Sequence, residues 1–339
     1  MKRVLWLLLS VHALSFGQRS DFGHISFKKA DSIALSYKGE SLKNLPVLTH
    51  KLTVNLSTGV EKFRAIYTWV CTNIENDYDA YLKTKKKRKK LAENREAFLQ
   101  WNNGFTPKVF KKLRSQRKTA CTGYAYLIRE MANLANINCK IIDGFGRTAT
   151  LSLNTGSLPN HSWNTVKLNG KWYLCDATWS AGSVIFEKDG PVFKSEYFDG
   201  YFLGEPALFV KNHYPLKKEW ILLPEPPTFN QFLEGPIIYK EAFCSNIIPM
   251  APIQMRFETV RNVPIPFKFN VPDTSSAKNI HLLLNNGSSD KTVRPEVTRH
   301  QEEYIFQHSF DKAGLYDLHI LVNDTIIATY VVRVKRKRK

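Results

Sequence analysis

Residues 161–179 alternate between apolar and polar positions on both sides of an Asn-Gly pair. The pattern predicts a β-hairpin, because a two-residue type I′ turn at Asn169-Gly170 needs positive φ at both positions. This turn sets the pairing as Leu168 with Lys171, Trp163 with Asp176, and His161 with Thr178. Side chains alternate between faces with a period of two, so His161 and Asp176 become diagonal neighbours on one face. A slip of one residue would separate them, so the prediction depends on the turn length.

A histidine held by an aspartate in this way has two interpretations. The carboxylate can fix the tautomer of the imidazole and stabilise its charged form in the service of a nucleophile or a metal. Alternatively, the pair is an ordinary polar contact across a half-exposed sheet. The hairpin alone does not distinguish these interpretations, so the rest of the chain has to decide between them.

Apolar residues recur at helical spacing after Cys121, at positions 124, 127, 128, 131, 134 and 135. This spacing predicts an amphipathic helix that ends near Asn136, followed by a strand from Cys139 to Asp143. Cys121 then lies in the first turn of the helix, where the partial positive charge favours a thiolate. The backbone N–H of the same residue is a natural donor to an oxyanion.

The other four cysteines lie in settings that favour burial or a disulfide, and they are Cys71, Cys139, Cys175 and Cys244. A Cys139–Cys175 bridge is one possible pairing, although an odd count of five leaves at least one thiol unpaired. No spacing of cysteine and histidine is typical of zinc, so the sequence predicts no metal site. The order of a helix-start cysteine, a strand histidine and a strand aspartate instead indicates nucleophilic chemistry.

CTGYAYLIREMANLANINCKIIDGFG and NHSWNTVKLNGKWYLCDATWS resemble the transglutaminase-like superfamily, whose members carry a cysteine at a helix N-terminus and a histidine and an aspartate on adjacent strands. The matching positions are Cys121, His161 and Asp176. EKFRAIYTWVCTNIENDYD (61–79) resembles the helix that precedes this core, and residues 201–226 resemble an extension found in members similar to kyphoscoliosis peptidase. The resemblance covers about residues 45–250.

The resemblance implies an α+β, papain-like core with a helix packed on an antiparallel sheet, and acyl transfer through a thioester without a cofactor. Cys121 would attack a carboxamide of a protein or peptide, His161 would transfer the proton, and Asp176 would orient His161. Transfer to water gives a peptidase or deamidase, and transfer to an amine gives a transamidase. A non-catalytic binding or scaffold protein that retains the fold is the alternative.

Three further residues are weaker candidates for the site. Gln116, five residues before the cysteine, is a candidate side-chain donor to the oxyanion by analogy with papain-like enzymes. Trp163 and Trp179 flank the histidine and aspartate and are candidates for walls of the site, with packing as the alternative role.

The pattern changes after residue 253, where short alternating or apolar runs are separated by turn residues up to residue 335. This pattern of short runs and turns predicts an immunoglobulin-like β-sandwich. The run from Asp311 to Tyr316 resembles the corner of such domains at which a tyrosine bonds back across the turn. We expect a lead-in segment at 18–60, the transglutaminase-like domain with its extension at 61–250, and a proline-rich linker near 223–252.

The first 17 residues predict a secretory signal peptide, with Lys2 and Arg3 before an apolar run and small residues before Gln18. The mature protein would then be soluble and extracytoplasmic, either secreted or periplasmic. The apolar run is short for a bilayer span, although an uncleaved anchor is the alternative. The length of 339 residues suits two domains, and a hydrophobic content of 43% indicates a globular protein.

The net charge of +19 is concentrated in KTKKKRKK (83–90) and KRKRK (335–339). Such runs are usually solvated, and a charged helix or loop is predicted at 82–101. They also favour acidic or envelope-associated protein substrates and peripheral contact with a membrane, whereas a secretory signal argues against nucleic acid. Solubility alone is the alternative explanation, and the sequence leaves the oligomeric state open.

Overall fold

The computed structural model describes residues 19–151, 153–272 and 277–336. The predicted signal peptide at 1–17 lies outside the described residues. Within them, no helix combines the length and the apolar character that crossing a membrane requires. The chain folds as an α+β unit followed by a β-rich unit.

The lead-in segment is helical and packs into the core of the α+β unit. After a 3₁₀ helix at Arg19–Phe22, it forms α1 (Lys28–Ser36) and α2 (Leu45–Thr53), which precede α3 (Gly59–Asn73). Thr58 and Glu61 form a capping box that fixes the start of α3. Buried side chains of α1 and α2 join those of α3 in one hydrophobic cluster, so this segment is part of the fold rather than an appendage.

The basic run that was predicted as a charged helix or loop is helical. The chain passes through β1 (Glu75–Asn76), α4 (Tyr78–Lys90), α5 (Arg95–Gln116) and β2 (Lys118–Thr119). Strands β1 and β2, which flank the two helices in the sequence, pair in parallel, so α4 and α5 form an insertion that begins and ends at the same place. None of the α4 residues is buried, and we call α4 and α5 the basic helix pair.

The central helix α6 and an antiparallel sheet form the predicted core. In chain order the elements are α6 (Cys121–Leu134), β3 (Cys139–Gly146), β4 (His161–Leu168), β5 (Lys171–Cys175), α7 (Ala177–Ala181), β6 (Gly182–Glu187), β7 (Gly190–Ser195), α8 (Pro206–Phe209) and β8 (His213–Pro215). The sheet has the order β5-β4-β3-β8, and α6 buries its apolar face against β3 and β4. Strands β6 and β7 form a separate hairpin.

The β4–β5 hairpin has the predicted turn. Asn169 and Gly170 have φ of 47° and 84°, as a type I′ turn requires, and Leu168 pairs with Lys171. The pairing ends at Asn164 with Cys175, however, because the next residue starts a helix. The predicted pairings of Trp163 with Asp176 and of His161 with Thr178 are therefore wrong, since Asp176 caps α7 and Thr178 lies within it.

The proline-rich stretch near 223–252 is not an irregular linker. It contains α9 (Phe229–Glu234), β9 (Ile237–Ile238), α10 (Lys240–Cys244) and β10 (Ile248–Ala251). Both of its strands join sheets of the C-terminal unit, so the extension and the sandwich are built together.

The C-terminal unit is a two-sheet β-sandwich, as predicted. Its further strands are β11 (Arg256–Val260), β12 (Ile265–Asn270), β13 (Ile280–Asn285), β14 (Asp290–Val293), β15 (Thr298–His300), β16 (Glu303–His308), β17 (Gly314–Val322) and β18 (Thr325–Lys335). One sheet has the order β10-β12-β16-β15, and the other β11-β18-β17-β13-β14 with β9 also on β18. The hydroxyl of Tyr316 donates to the carbonyl of Lys312 at 3.1 Å, which forms the expected tyrosine corner.

Candidate active site

Asp176 is the buried centre of the site, and each of its two carboxylate oxygens has a separate role. Oδ1 accepts the backbone N–H groups of Thr178 at 2.8 Å and Trp179 at 3.3 Å, which makes Asp176 the N-cap of α7. Oδ2 lies 2.7 Å from Nε2 of His161. The cap fixes the carboxylate against the helix, so its second oxygen is held toward the imidazole.

His161 and Cys121 are hydrogen-bonded to each other and form the candidate reactive pair. Burial lowers the pKa of His161, but the charge and hydrogen bond of Asp176 outweigh burial and raise it to about 10. Burial raises the pKa of the Cys121 thiol, yet the hydrogen bond and charge of His161 outweigh that effect and lower the pKa. A backbone hydrogen bond from Ser162 also lowers it. Near neutral pH these shifts favour a thiolate beside an imidazolium.

The remaining four cysteines have the opposite character. Burial raises the pKa of Cys71 and Cys175 strongly, that of Cys139 to about 12, and that of the exposed Cys244 to a smaller extent. All five thiols are free, so the possible Cys139–Cys175 bridge is absent. These two residues lie on different strands that are separated by β4. Cys121 is thus the one cysteine of the five whose surroundings favour the thiolate.

His213 is a second histidine on the same carboxylate, and sequence reasoning missed it. Its Nε2 lies 3.1 Å from Oδ2 of Asp176, and its Nδ1 lies 2.6 Å from the side-chain amide of Asn212. Burial lowers the pKa of His213 to about 4, so the ring is neutral and its single N–H can be donated to only one of the two facing oxygens, Oδ2 of Asp176 or Oδ1 of Asn212. No local pattern in KNHYP relates this residue to an aspartate that precedes it by 37 positions.

His161, Asp176 and His213 each offer one nitrogen or oxygen that could ligate a metal ion, and these atoms lie within 4.8 Å of one another. Both imidazole nitrogens face the same carboxylate oxygen, at 2.7 and 3.1 Å. These separations are those of hydrogen bonds, in which a proton occupies the space between the two heavy atoms. The cluster is therefore arranged as a hydrogen-bonded network around one carboxylate.

The packing of His161 against Trp179 depends on a glycine in β3. His161 pairs with Gly144 on one side of β3, and His213 pairs with Gly146 on the other. A Cβ atom on Gly146 would lie 3.1 Å from the ring of His161 and from Trp179. Any larger residue there would push the imidazole or the indole away from its present position.

The two candidate tryptophans occupy different layers. Trp179 stacks on His161 with ring centroids 5.0 Å apart and lines the cleft. Trp163 is 1% exposed, contacts His161 and His213 from behind, and belongs to the core that is shared with the sandwich. The structure thus places Trp179 on the wall of the site and Trp163 behind it.

Gln116 is not brought to the site. It is the last residue of α5, is exposed, and is not among the residues that line the cleft. Cys121 itself is the first residue of α6, so its backbone N–H belongs to the initial turn that lacks carbonyl partners within the helix. This N–H remains the oxyanion donor that the local geometry offers.

An open cleft of about 500 Å³ leads to Cys121 and His161. Its walls come from α4, from the end of β3 and the loop after it, from the β6–β7 hairpin, and from the segment around Tyr239. The aromatic side chains on these walls include Tyr78, Tyr81, Trp179, Phe186 and Phe193. The cleft is large enough to admit a peptide side chain to the sulfur.

Comparison with known proteins agrees with this geometry. Residues 47–177 match the family model of the transglutaminase-like superfamily. Human kyphoscoliosis peptidase is 31% identical over 270 residues, which cover 78% of this chain and 36% of that protein. The mouse kyphoscoliosis peptidase is 29% identical over 268 residues, with the same two coverages of 78% and 36%. The chain therefore spans about a third of the length of these curated relatives.

Among solved structures, the filamin domain of Lin-41 aligns with a TM-score of 0.22 and 16% identity, covering 30% of this chain and 97% of that domain. Because so low a score carries no argument, the immunoglobulin-like description of the sandwich rests on its own strands and tyrosine corner. The fold assignment of the α+β unit rests on its central helix, its antiparallel sheet and the family match. Residues 47–177 belong to the transglutaminase-like superfamily, and the chain is similar to kyphoscoliosis peptidases.

Proposed function

We propose that this chain is a cysteine enzyme that transfers acyl groups from amides of proteins or peptides through a thioester on Cys121. The observation that carries the proposal is the contact chain from Cys121 through His161 to Asp176, together with the lowered pKa of the thiol. A buried carboxylate and imidazole cost folding free energy unless they are fully bonded, so their presence beside a thiol supports chemistry rather than stability.

The reaction follows from the protonation states. The thiolate of Cys121 attacks the carbonyl carbon, and the backbone N–H at the start of α6 stabilises the negative charge on the carbonyl oxygen. The His161 imidazolium donates its proton to the leaving nitrogen, the C–N bond breaks, and a thioester remains. His161, now neutral, takes a proton from water or from an amine as that molecule attacks the thioester, and the thiolate is released.

Asp176 and His213 have positioning roles in this scheme. Asp176 holds the Nε2 side of His161, so that Nδ1 faces the sulfur. The Nε2 atom of His213 contacts the same oxygen at 3.1 Å and restrains the carboxylate. Water as acceptor makes the protein a peptidase or deamidase, and an amine makes it a transamidase.

Alkylation with iodoacetamide, mapped by mass spectrometry, tests the proposal with an internal control. Cys244 is exposed and has a raised pKa, whereas Cys121 is only partly exposed and has a lowered pKa. If Cys121 is activated, it reacts faster than Cys244 at neutral pH despite its lower exposure, and His161→Ala removes the advantage. Equal reactivity of the two thiols would contradict the proposal.

The products identify the reaction type. Amide-donor peptides are incubated with the wild type and with Cys121→Ala, and the mixtures are analysed for ammonia, cleaved peptide and isopeptide bonds. We expect one of these products only with the wild type. A binding or scaffold role is the second candidate, and it would be favoured if Cys121→Ser keeps the full biological effect.

We also propose that the protein acts outside the cytoplasm after removal of residues 1–17. The support is the n-region, apolar run and small residues of the sequence. N-terminal sequencing of the protein exported by its host would give Gln18 as the first residue. An intact Met1 in the exported fraction would contradict this.

A further inference from the structure

One wall of the cleft belongs to the basic helix pair. Tyr78, Tyr81 and Lys85 line the cleft, and their spacing of three and four residues places them on one face of α4. The ring of Tyr78 contacts Phe186 of the β6–β7 hairpin with centroids 5.7 Å apart. The cleft is thus bounded by α4 and this hairpin, and the helix reaches the entrance to the sulfur.

The charged side chains that line this cleft are basic. They are Lys85, Arg147 and Lys240 among the described residues, and Lys240 lies 3.7 Å from the carboxylate of Glu196, which is not part of the lining. The guanidinium of Arg147 is bonded to the carbonyls of Phe232, Gly235 and Pro236, so it keeps its full positive charge without a carboxylate partner. A cleft of this kind attracts negative groups and repels positive ones.

The outer face of the wall extends the same charge. Residues 78–116 contain 12 Lys and Arg against 3 Asp and Glu, a net charge of +9. In α4 itself, like charges stand four residues apart at Lys83 and Lys87, at Lys85 and Lys89, and at Lys86 and Lys90. Such pairs destabilise an isolated helix, and none of the seven basic residues of α4 forms an ion pair with a described residue. A polyanion lying along the helix would relieve that repulsion.

We propose that α4 and the cations of the cleft bind an acidic segment of polypeptide next to the reactive amide, so that the substrate is an acid-rich protein. This inference rests on the proposed acyl-transfer function and names its substrate class. A peptide fits better than a membrane surface, because Lys85 lies in a concave cleft with Tyr81, where single side chains can enter and a flat bilayer cannot. The aromatic walls would contact the apolar parts of the same segment.

Two labelled peptides of equal length test the proposal, each with one glutamine as acyl donor. One has Asp and Glu on both sides of the glutamine, and the other has Ser and Asn at the same positions. We expect kcat/KM to be about tenfold higher for the acidic peptide at low ionic strength, and the preference to shrink as salt is added. Similar kcat/KM values for both peptides would overturn the inference while leaving the proposed function intact.

Charge-reversal variants localise the effect. Lys83→Glu, Lys85→Glu and Lys86→Glu are combined in α4, and the matched control combines Lys291→Glu, Arg294→Glu and Lys312→Glu on exposed positions of the sandwich. The measured quantity is the ratio of kcat/KM for the acidic peptide to kcat/KM for the Ser/Asn peptide, because a general loss of turnover cancels in this ratio. We expect the ratio to fall to about one in the α4 variant and to stay high in the control. Equal loss in both variants would mean that only net charge matters, and would overturn the assignment to α4.

Binding measurements separate this inference from the proposed function. Fluorescence anisotropy of the acidic peptide with the wild type and the α4 variant needs no turnover. Salt-sensitive binding that requires α4 supports the inference even if no peptide is processed, which would count against the proposed function alone. Binding to phosphatidylserine vesicles without binding to the acidic peptide would overturn the inference in favour of a membrane surface.

Discussion

The two units of this chain bury very different side chains. The α+β unit and its extension bury polar and charged groups that include Arg64, Asp77, Asp176, His161 and His213, whereas Thr329 is the buried polar residue of the described sandwich strands. Buried polar groups cost free energy unless they are bonded, and a charge costs more than a dipole. The sandwich thus has the interior of a structural unit, whereas the α+β unit buries charged groups within ion pairs and hydrogen bonds, both at the candidate site and away from it.

Removal of the Cys121 sulfur is the change for which we expect the largest difference between turnover and stability. Cys121→Ala is expected to lower amide turnover by roughly 10⁴-fold or more, as loss of a nucleophile does in comparable hydrolases. The same change should leave the thermal midpoint almost unaltered, because the residue is only partly buried. Turnover of an amide-donor peptide and thermal unfolding would be measured side by side. Retained turnover would show that Cys121 is not the nucleophile.

Asp176→Asn should have the next largest effect. The amide oxygen can still cap α7, but it does not stabilise an imidazolium, so the pKa of His161 falls from its raised value of about 10. We expect kcat to fall roughly 10³- to 10⁴-fold. Kinetics together with NMR titration of His161 would check both parts. An unchanged histidine pKa would show that the carboxylate does not control the pair.

The pH dependence of turnover tests the ion pair of Cys121 and His161. Turnover needs Cys121 deprotonated and His161 protonated, so the rate rises as the thiol ionises and falls as the imidazolium loses its proton. The lowered thiol pKa puts the rising limb below the ordinary value of about 9, and the falling limb lies near pH 10. Above that limb the rate falls about tenfold per pH unit. A profile that instead rises continuously through pH 10 would contradict the ion pair.

His213 should matter less than Asp176. His213→Ala removes one of the two imidazoles that contact Oδ2 and leaves the other, so kcat is expected to fall about tenfold with a smaller change in KM. His213→Gln can still donate to Oδ2 and should recover part of kcat. If both variants lose stability but keep kcat per folded molecule, the second histidine is structural only.

The sandwich provides the smallest expected effect on turnover. Phe267 is fully buried between the sheets, and Phe267→Ala should lower the free energy of unfolding by about 3–5 kcal/mol. Turnover per folded molecule should stay within about twofold, because no sandwich strand supplies a residue to the reactive pair. Denaturant unfolding and active-site titration would check this. A large loss of turnover in the folded fraction would show that the two units are catalytically coupled.

Local patterns along the chain were sufficient to predict the contact of His161 with Asp176, the helix that begins at Cys121, and the sandwich, whereas the meeting of Cys121 with His161 was expected from the family resemblance. The hairpin was predictable because Asn-Gly fixes a turn, and the helix because its apolar positions recur at helical spacing. The end of β5 was not, because Asp176 serves as a helix cap rather than continuing the strand. Local propensity rules do not decide between those two uses of an aspartate.

Long-range partners were beyond such rules. His213 meets Asp176 because β8 pairs with β3, and a three-residue strand has no periodicity to detect. The proline-rich stretch looked like a linker because prolines disfavour regular elements, yet its short strands obtain partners in the sandwich. In both cases the deciding contact joins residues that are far apart in the sequence.

Strand β9 pairs with β18, the last strand of the described chain, and Trp163 shares one apolar cluster with the sandwich. During translation, the segments around the thiol leave the ribosome well before β18 does. The apolar packing around Trp163, which lies behind His161, is therefore incomplete until β18 has joined its sheet. Correct support of His161 thus depends on a segment that is synthesised well after the histidine itself.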